Sequence, residues 1–299
     1  MTPATSSSGR AFRRAYGPIF FLGFNAIAVQ VVASGASRYW LAPLLLAAIA
    51  ASFLAERIAP YEAVWNRSRG DVARDVLHAV VNETVTLAAV ASIPMLTDLA
   101  PWPQVWPTAW PLGLQLALAI VVADAGITFT HFASHKVEPL WRLHAVHHSV
   151  TRMIGFNGLM KHPIHQALET AVGATALVLV GLPLDVGALL GFAVTVQLLL
   201  QHSNVDMRIG LLASIWGVAP VHRHHHRSSV AEGDVNFGLF TTIWDRVLGT
   251  CAPDRPPPRD GQIGIAGRSN YPIDYGAQLL EPFRSWPRPE SREAGHRAA

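Results

Sequence analysis

Charge is scarce in this chain of 299 residues, since Asp, Glu, Lys and Arg make up only 14% of it. Soluble domains carry about 25% charged residues and about 45–50% apolar ones, whereas the hydrophobic share here is 51%. The mean hydropathy of +0.28 agrees with that excess. The composition therefore argues against an ordinary soluble domain and predicts a membrane protein.

Cysteine is almost absent, because Cys251 is the only one in the sequence. One cysteine excludes an intramolecular disulfide framework and a cysteine-ligated iron–sulfur or zinc site. The basic residues lie at the start, between apolar segments and in the tail, and form no stripe interleaved with aromatic residues. Nucleic-acid binding is therefore not expected despite a net charge of +3, and any metal must be held by nitrogen and oxygen ligands.

Apolar runs near the length that crosses a bilayer, about 20 residues, are frequent instead. They predict an all-α polytopic bundle of about four to six membrane segments. The last two runs are short and are separated by "GLPLD", so a re-entrant pair or a tight hairpin stays open as an alternative. The six runs cover residues 17–34, 40–56, 76–97, 111–131, 168–183 and 185–202.

Basic residues flank these runs unevenly. They cluster before the first run, as Arg10, Arg13 and Arg14, and between the second and third, whereas the loop "DLAPWPQVWPTAWP" has none and carries three tryptophans. By the positive-inside rule the basic side is cytoplasmic, and tryptophans suit the opposite interface. Both termini and a histidine-rich helical cap at the end of the fourth run are therefore predicted to be cytoplasmic.

Histidines gather in two places. The stretch "THFASHKVEPLWRLHAVHHS" contains five, and "PVHRHHHRSS" repeats the HxxHH spacing. Residues three and four apart share a helix face, so each HxxHH is predicted to direct its imidazoles at one point. Eight such side chains exceed the four ligands of one tetrahedral zinc and predict two metals. They are His131, His135, His144, His147, His148, His222, His225 and His226.

Other polar residues are weighed individually. His202 ends the last apolar run and is favoured as a ligand, while His162 and His165 stay open. His224 breaks the spacing and is expected to point away from the metals, and His78 and His296 are read as structural or solvated. Asp124 lies inside an apolar run, where a carboxylate is costly and functional by default. It either orients a ligand histidine or makes a polar contact between helices.

At these residues the sequence resembles the fatty acid hydroxylase superfamily of integral-membrane proteins, which includes sterol desaturases, sterol methyl oxidases and alkylglycerol monooxygenase. The likeness covers about residues 120–250 and lies in "DAGITFTHFASH", "LWRLHAVHHS", "KHP", "QHSN", "PVHRHHHRS" and "NFGLFTTIWDRVLGT". It implies two iron ions, with zinc as a substitute, and hydroxylation or desaturation of a lipid by dioxygen. An all-histidine site at the lipid interface independently suggests oxygen activation by iron.

The resemblance also implies a ligand set. Asn236, Trp244 and Asp245 match the terminal motif, which is expected to pack the second histidine cluster. The family usually has arginine where Phe132 stands, and some members have a further histidine at the position of Asp206. Remaining coordination is therefore open to Asp206, Asn204, His162 or water. The nine implied ligands are His131, His135, His144, His147, His148, His202, His222, His225 and His226.

The predicted protein is a membrane oxidoreductase with no catalytic residue assigned beyond the metal ligands. No haem domain, flavin motif or Rossmann fingerprint is present, so a separate electron-transfer protein is expected. A histidine-rich metal transporter or sensor and an inactive scaffold of the same fold remain alternatives. The substrate stays open among sterol, fatty acyl, ether, ornithine-type and carotenoid lipids.

The predicted divisions of the chain are N-terminal membrane helices over 1–110, a catalytic domain over 111–251 and a Pro/Arg-rich tail over 252–299.

Overall fold

The computed structural model describes residues 7–99 and 104–286, and in this part of the chain the fold is helical without a strand. The all-α prediction is therefore confirmed. Six long helices form the bundle, and shorter ones cap one end of it. In chain order the helices are α1 (Ser7–Ala33), α2 (Leu41–Ile58), α3 (Val72–Asp98), α4 (Leu112–Lys136), α5 (Glu138–His148), α6 (Pro163–Leu179), α7 (Leu184–Gln201), α8 (Ala219–His222), α9 (Val230–Gly233), α10 (Ile243–Leu248) and α11 (Tyr275–Leu280).

Five helices are long and apolar enough to span a membrane: α1, α2 with the preceding turn from Arg38, α3, α4 and α7. The protein is therefore a multi-pass membrane protein. Helix α6 has 17 residues, or about 26 Å at 1.5 Å per residue, against about 30 Å of hydrocarbon. It begins five residues before the predicted run at 168, because its polar first turns are buried inside the bundle. Residues 180–183 join α6 to α7, so the last two runs form a helical hairpin.

The six long helices alternate in direction between two ends of the bundle. At one end Arg208 N donates to Arg13 O at 2.9 Å, and Asp206 N donates to Ala59 O at 2.9 Å. These bonds join the start of α1, the end of α2 and the segment after α7. At the other end Val105 N donates to Val180 O at 3.1 Å. The predicted basic flanks and the histidines therefore lie at the same end, which we call the histidine end.

Helices α4 and α6 cross closely because two glycines face each other. A Cβ atom on Gly126 would lie 2.7 Å from Val172 O and 2.9 Å from the Cα of Gly173. Any larger side chain would push the helices apart, since a heavy-atom contact that short is repulsive. This approach brings the last turns of α4, with His131 and His135, against the first turns of α6.

The segment after residue 251 packs onto the histidine end as far as residue 286. Gly264 N donates to His226 O at 3.1 Å, and Tyr61 Oη donates to Pro258 O at 2.8 Å. Farther along, Gln278 Nε2 donates to Ser149 Oγ at 3.0 Å. The sequence predicted a poorly ordered end for this tail, but that end and His296 lie outside the described residues.

Candidate metal centre

Five buried histidines converge where α4, α5 and the segment after α8 meet. Their ligand nitrogens all lie within 4.8 Å of one another. His148 Nε2 is 3.2 Å from His135 Nε2 and 3.0 Å from His144 Nε2. Trp141 packs against His135 in an edge-to-face arrangement, with ring centroids 4.9 Å apart. We call this set the five-histidine group: His131, His135, His144, His148 and His225.

A second convergence lies beside the first, between the ends of α5, α7 and α8. His202 Nε2 is 3.1 Å from both His147 Nε2 and His226 Nε2. His226 Nε2 is in turn 3.2 Å from His222 Nε2. These residues, His147, His202, His222 and His226, are all buried and form the four-histidine group.

The two groups together contain all nine histidines that the sequence suggested, but the expected arrangement was wrong. Each HxxHH was predicted to direct its side chains at one point, whereas each supplies both groups. His147 and His148 follow one another in α5 and diverge, because successive residues of a helix are separated by about 100°. The second HxxHH is also less helical than expected, since α8 ends at His222 and residues 223–226 form turns. Each HxxHH stretch therefore supplies ligands to both the five-histidine group and the four-histidine group.

Hydrogen bonds to carbonyl oxygens fix the protonation of three of these rings. A carbonyl oxygen only accepts, so the ring nitrogen beside it must carry the proton. Nδ1 donates to a carbonyl oxygen in His131 at 2.8 Å, His147 at 2.9 Å and His225 at 2.9 Å. The acceptors are Phe237 O, Met160 O and Val235 O. In each neutral ring Nε2 is left with a lone pair.

The directions of these lone pairs test whether the residues fit a metal. His202 Nδ1 lies 3.1 Å from Leu198 O, so the Nε2 atoms of His202 and His147 face each other without a proton between them. Nε2 of His131 and of His225 have no hydrogen-bond partner in the described part of the chain. Buried lone pairs of this kind are destabilising unless a cation lies among them. The donor set therefore fits metal ions, and imidazole suits iron, zinc, copper and nickel alike.

The environment keeps the cap histidines neutral. Burial, followed by neighbouring imidazoles, lowers the pKa of His144, His148 and His222 well below 6.5. It lowers the pKa of His202 to about 3. Neutral imidazole is the form that binds metal. Because the unfolded chain binds protons near pH 6.5 and the folded one does not, the metal-free fold loses stability as the pH falls below that value.

A carboxylate supports the five-histidine group from outside. Asp234 Oδ1 lies 2.9 Å from His135 Nδ1, and Oδ2 accepts a bond from Lys136 Nζ at 2.5 Å. Burial alone would raise the pKa of Asp234, but these two partners outweigh it and lower that pKa. A carboxylate bonded to Nδ1 orients a metal-binding ring and increases its basicity. Nothing in the sequence spacing pointed to Asp234.

The loop after α9 depends on two further carboxylates. Asp124, which the sequence singled out, accepts bonds from Phe240 N at 2.8 Å and Thr241 N at 3.0 Å. Asp245 accepts bonds from Phe237 N and Gly238 N at 2.7 and 2.9 Å. Asp124 does not contact a ligand ring. It holds the loop whose Phe237 carbonyl oxygen accepts the bond from His131. The sequence leaves two roles open for Asp124, orienting a ligand histidine or making a polar contact between helices.

Asn236, from the terminal motif, bonds through its side chain to the backbone beside the second histidine cluster. Its Nδ2 donates to Val221 O and to Ala252 O, both at 3.0 Å, and its Oδ1 accepts from Ala252 N. Its φ of 54° is unusual outside glycine, and asparagine tolerates that conformation best. Trp244 of the same motif packs instead against Phe129 on α4, with centroids 5.8 Å apart.

The candidates for additional coordination lie elsewhere. His162 caps α6 by accepting from Ile164 N at 3.2 Å. Asn204 bonds to the backbone of Glu62, and Asp206 pairs with Arg13 at 3.1 Å. None of the three belongs to either group. In each case the side chain is bonded to a nearby backbone group or cation instead.

Two histidines read as non-ligands also lie outside both groups. His224 is buried, but it is in neither group, in keeping with its break in spacing. His78 is buried between Lys161 O and Gln278 Oε1, at 2.9 Å from each. Its role is therefore structural, linking α3 to the C-terminal segment.

A charged pair beside the histidines was not expected from the sequence. Lys161 and Glu169 form a buried ion pair, and His165 Nδ1 lies 3.8 Å from Glu169 Oε1. His165, with Glu169 and His144, forms a third convergence of metal-binding side chains. The one available signal was a glutamate four residues after His165 at the start of an apolar run, on the same helix face.

Comparison with known proteins agrees with this geometry. The sequence model of the fatty acid hydroxylase family matches residues 116–250. Over 254 residues the chain is 35% identical to an ornithine lipid hydroxylase, OlsE, of Rhizobium tropici, covering 82% of this chain and 76% of that protein. The chain belongs to the fatty acid hydroxylase family. All nine histidines lie within the matched residues.

A second relative is more distant. An alkylglycerol monooxygenase of Danio rerio is 30% identical over 142 residues, which is 46% of this chain and 30% of that protein. No solved structure matches the chain. The predicted family and the coarse activity, a lipid-modifying oxidoreductase in a membrane, are confirmed. The family is metal-dependent, in keeping with the histidine groups.

Proposed function

We propose that the protein is a membrane-bound lipid hydroxylase that holds two iron ions, one in each histidine group. Five histidines would hold one ion and four the other. With dioxygen, two electrons and two protons, the iron pair would supply the chemistry that converts a C–H bond into C–OH and releases one water molecule. The residues of the chain bind the metals, exclude solvent and position the lipid.

The observation that carries the proposal is the set of buried, inward-facing lone pairs. Nδ1 of His131, His147 and His225 is bonded to main-chain oxygen, so three rings are oriented before any metal arrives. Preorganised ligands of this kind lose little conformational freedom on binding. Two adjacent groups also suit a reaction that needs two electrons.

A small cavity, with room for about one water molecule, lies beside both groups and marks where a reacting carbon would approach the two metals. His131 and His144 of one group and His147 and His222 of the other line it. Ile127, Leu198 and Leu239 form apolar parts of its wall. Because these walls are buried in the bundle, they keep bulk water from the reacting carbon.

The histidine end would face the cytoplasm. Arg57 in the last turn of α2, and Arg67 and Arg69 between α2 and α3, lie at this end, in keeping with the positive-inside rule. Arg74 is less informative, because it is buried and paired with Asp75 at 2.7 Å. Electrons would therefore come from a separate protein on the cytoplasmic side.

Metal transport fits the observations less well. A transporter requires polar groups along the spans, and the histidine groups gather at one end. Asp124, the carboxylate that favoured transport, is occupied by Phe240 and Thr241. The lipid-modifying relatives also favour an enzyme over a scaffold, and hydroxylation over desaturation.

The substrate we propose is an amino-acid-headed membrane lipid of the ornithine type. The support is the 35% identity to an ornithine lipid hydroxylase over most of both chains. The alkylglycerol monooxygenase shares less than half of this chain. We therefore rank ornithine-type lipids before ether lipids.

The test is turnover by the purified full-length protein, loaded with iron and supplied with an artificial reductant and isotopically labelled dioxygen. Ornithine lipid should gain one labelled oxygen atom, detected by mass spectrometry of the lipid extract. The matched control is the His147→Ala variant purified in the same way, which should give no labelled product. An unlabelled hydroxyl group or a desaturated product from the wild type would contradict the proposal.

A further inference from the structure

The cavity wall contains two charged side chains that the metal-binding role does not use. Lys161 and Glu169 line it together with the histidines, and they are 7% and 4% exposed. Burying an ion pair costs desolvation that its own attraction offsets only when its remaining polar atoms are bonded. The hydrogen bonds of this pair therefore indicate whether its role is purely structural.

The pair is only half satisfied. An ammonium group has three N–H donors, and within residues 7–99 and 104–286 the ammonium of Lys161 has one acceptor, Glu169 Oε2. Glu169 Oε1 accepts no hydrogen bond in the same part of the chain, since His165 Nδ1 is 3.8 Å away. Two donors and one acceptor thus remain for another group in the cavity.

The backbone holds this pair in place from outside. His78 Nδ1 and Asn82 Nδ2 both bond to the carbonyl oxygen of Lys161, at 2.9 and 3.0 Å. Glu169 lies on the second turn of α6, below its cap. Both charged groups are therefore positioned by rigid elements of α3 and α6, as a recognition site requires.

We propose that Lys161 and Glu169 bind the charged head of the lipid substrate beside the histidine groups. A lipid in which one of the two amino groups of ornithine is amide-linked to an acyl chain keeps one carboxylate and one ammonium. The carboxylate would bond to the free N–H groups of Lys161, and the ammonium to Glu169 Oε1. The pair would thus select zwitterionic amino-acid lipids over anionic or uncharged ones. This inference rests on the proposed function, because it assumes that the cavity, which has room for about one water molecule in this structure, widens to receive the substrate head.

A third metal site is the competing explanation. His144, His165 and Glu169 are close enough to share an ion. That ion would lie beside the ammonium of Lys161, which is already paired with Glu169, so like charges would repel each other. The geometry favours the organic head, and metal analysis of variants distinguishes the two.

The experiment measures lipid binding to the full-length protein in detergent, by native mass spectrometry, with and without prior removal of metal. Three synthetic lipids with identical chains are the probes: ornithine lipid, its carboxylate methyl ester and its N-acetyl derivative. Each altered lipid should bind about tenfold more weakly to the wild type, in line with the loss of one charge-assisted hydrogen bond.

Two variants give opposite results if the assignment is correct. Lys161→Met should bind the ester as well as the parent lipid but still reject the N-acetyl lipid. Glu169→Gln should do the reverse. A purely structural ion pair would not exchange these preferences. The double variant Lys161→Met/Glu169→Gln leaves no unpaired buried charge, so it serves if either single variant fails to fold, and it should bind all three lipids alike.

Glu83→Gln is the matched control. Glu83 is a carboxylate of α3 that accepts a bond from Thr195 at 3.2 Å and does not line the cavity. This variant should keep the preferences of the wild type.

Three results would overturn the head assignment or separate its failure from that of the function. If the variants keep the wild-type preferences while ornithine lipid is hydroxylated, the pair does not bind the head. If Glu169→Gln loses one metal equivalent, Glu169 is a ligand and the assignment is wrong. If the wild type binds the zwitterion selectively but oxygenates no lipid, the proposed function fails and the recognition site stands.

Discussion

The two histidine groups differ in how they are held. In the four-histidine group every Nε2 atom lies 3.1–3.2 Å from another. In the five-histidine group two Nε2 atoms have no hydrogen-bond partner within residues 7–99 and 104–286, and His135 is bonded to the partly exposed Asp234. The larger group thus has one more histidine than the smaller group and a carboxylate contact near solvent.

Equal spacing in sequence therefore does not give equal sites. The repeated HxxHH suggested two similar clusters, yet His202 of α7 joins one group, and His131 and His135 of α4 join the other. We therefore expect the five-histidine group to exchange metal more readily. Changes that break one group at a time test this comparison.

The largest effects are expected from removing one ligand of each group. His147→Ala should empty the four-histidine group and His225→Ala the five-histidine group, so each variant should retain about half of the metal. Hydroxylation should fall at least about 100-fold in both, since loss of an outer partner alone costs up to that much. Elemental analysis and turnover of both variants provide the measurement. Full metal occupancy in either would refute its assignment as a ligand.

Removal of the outer carboxylate should separate the groups. Asp234→Asn leaves the shape but weakens the orientation of His135, so metal affinity of the five-histidine group should fall about 10–100-fold. The measurement is metal release to a chelator over time, which should become faster for half of the metal. Asp260→Asn is the control, because Asp260 pairs with Arg69 and Trp65 away from the histidines. Equal release from both variants would contradict the comparison.

A glycine substitution should disturb the other group. A Cβ atom on Gly158 would lie 2.5 Å from Leu198 O and 2.8 Å from His202 Nδ1. Gly158→Ala should therefore displace His202 and destabilise the fold by about 1–3 kcal/mol. Thermal unfolding and metal content are the readouts, with loss from the four-histidine group expected. Gly113→Ala, which meets no atom of the described residues within 4 Å, is the control and should lower neither quantity.

The smallest effect is expected at His224. This residue lies between two ligands in sequence but in neither group, so His224→Ala should keep both metals and most activity. Metal analysis beside the His225→Ala variant makes the comparison direct. Complete metal loss in His224→Ala would mean that the turn at 223–226 holds the ligands differently.

Much of the bundle could be predicted from sequence because long apolar runs and basic flanks have few physical interpretations. The runs at 111–131 and 185–202 lie within or within one residue of α4 and α7. The start of α6 could not be placed, since His165 and Glu169 appear polar in sequence and become buried only through packing. The hydropathy of a segment does not show which partners its polar residues meet in the folded chain.

The sequence indicated which histidines would gather at the candidate site but not how they divide between the two groups. Spacing and resemblance selected nine histidines, because imidazoles at helical intervals are rare without a shared role. How they divide depends on the angle between α4, α5 and α7, which local sequence does not contain. Asp234 and Lys161 were missed for the same reason, since each meets its partner only through the folded chain.

Elemental analysis of the full-length protein, purified in detergent from iron-supplied cells, measures directly whether the chain binds two irons. Two filled histidine groups predict about two irons per chain, falling to about one in either single-ligand variant. A wild type that binds one zinc, or no metal, would contradict the two-iron centre.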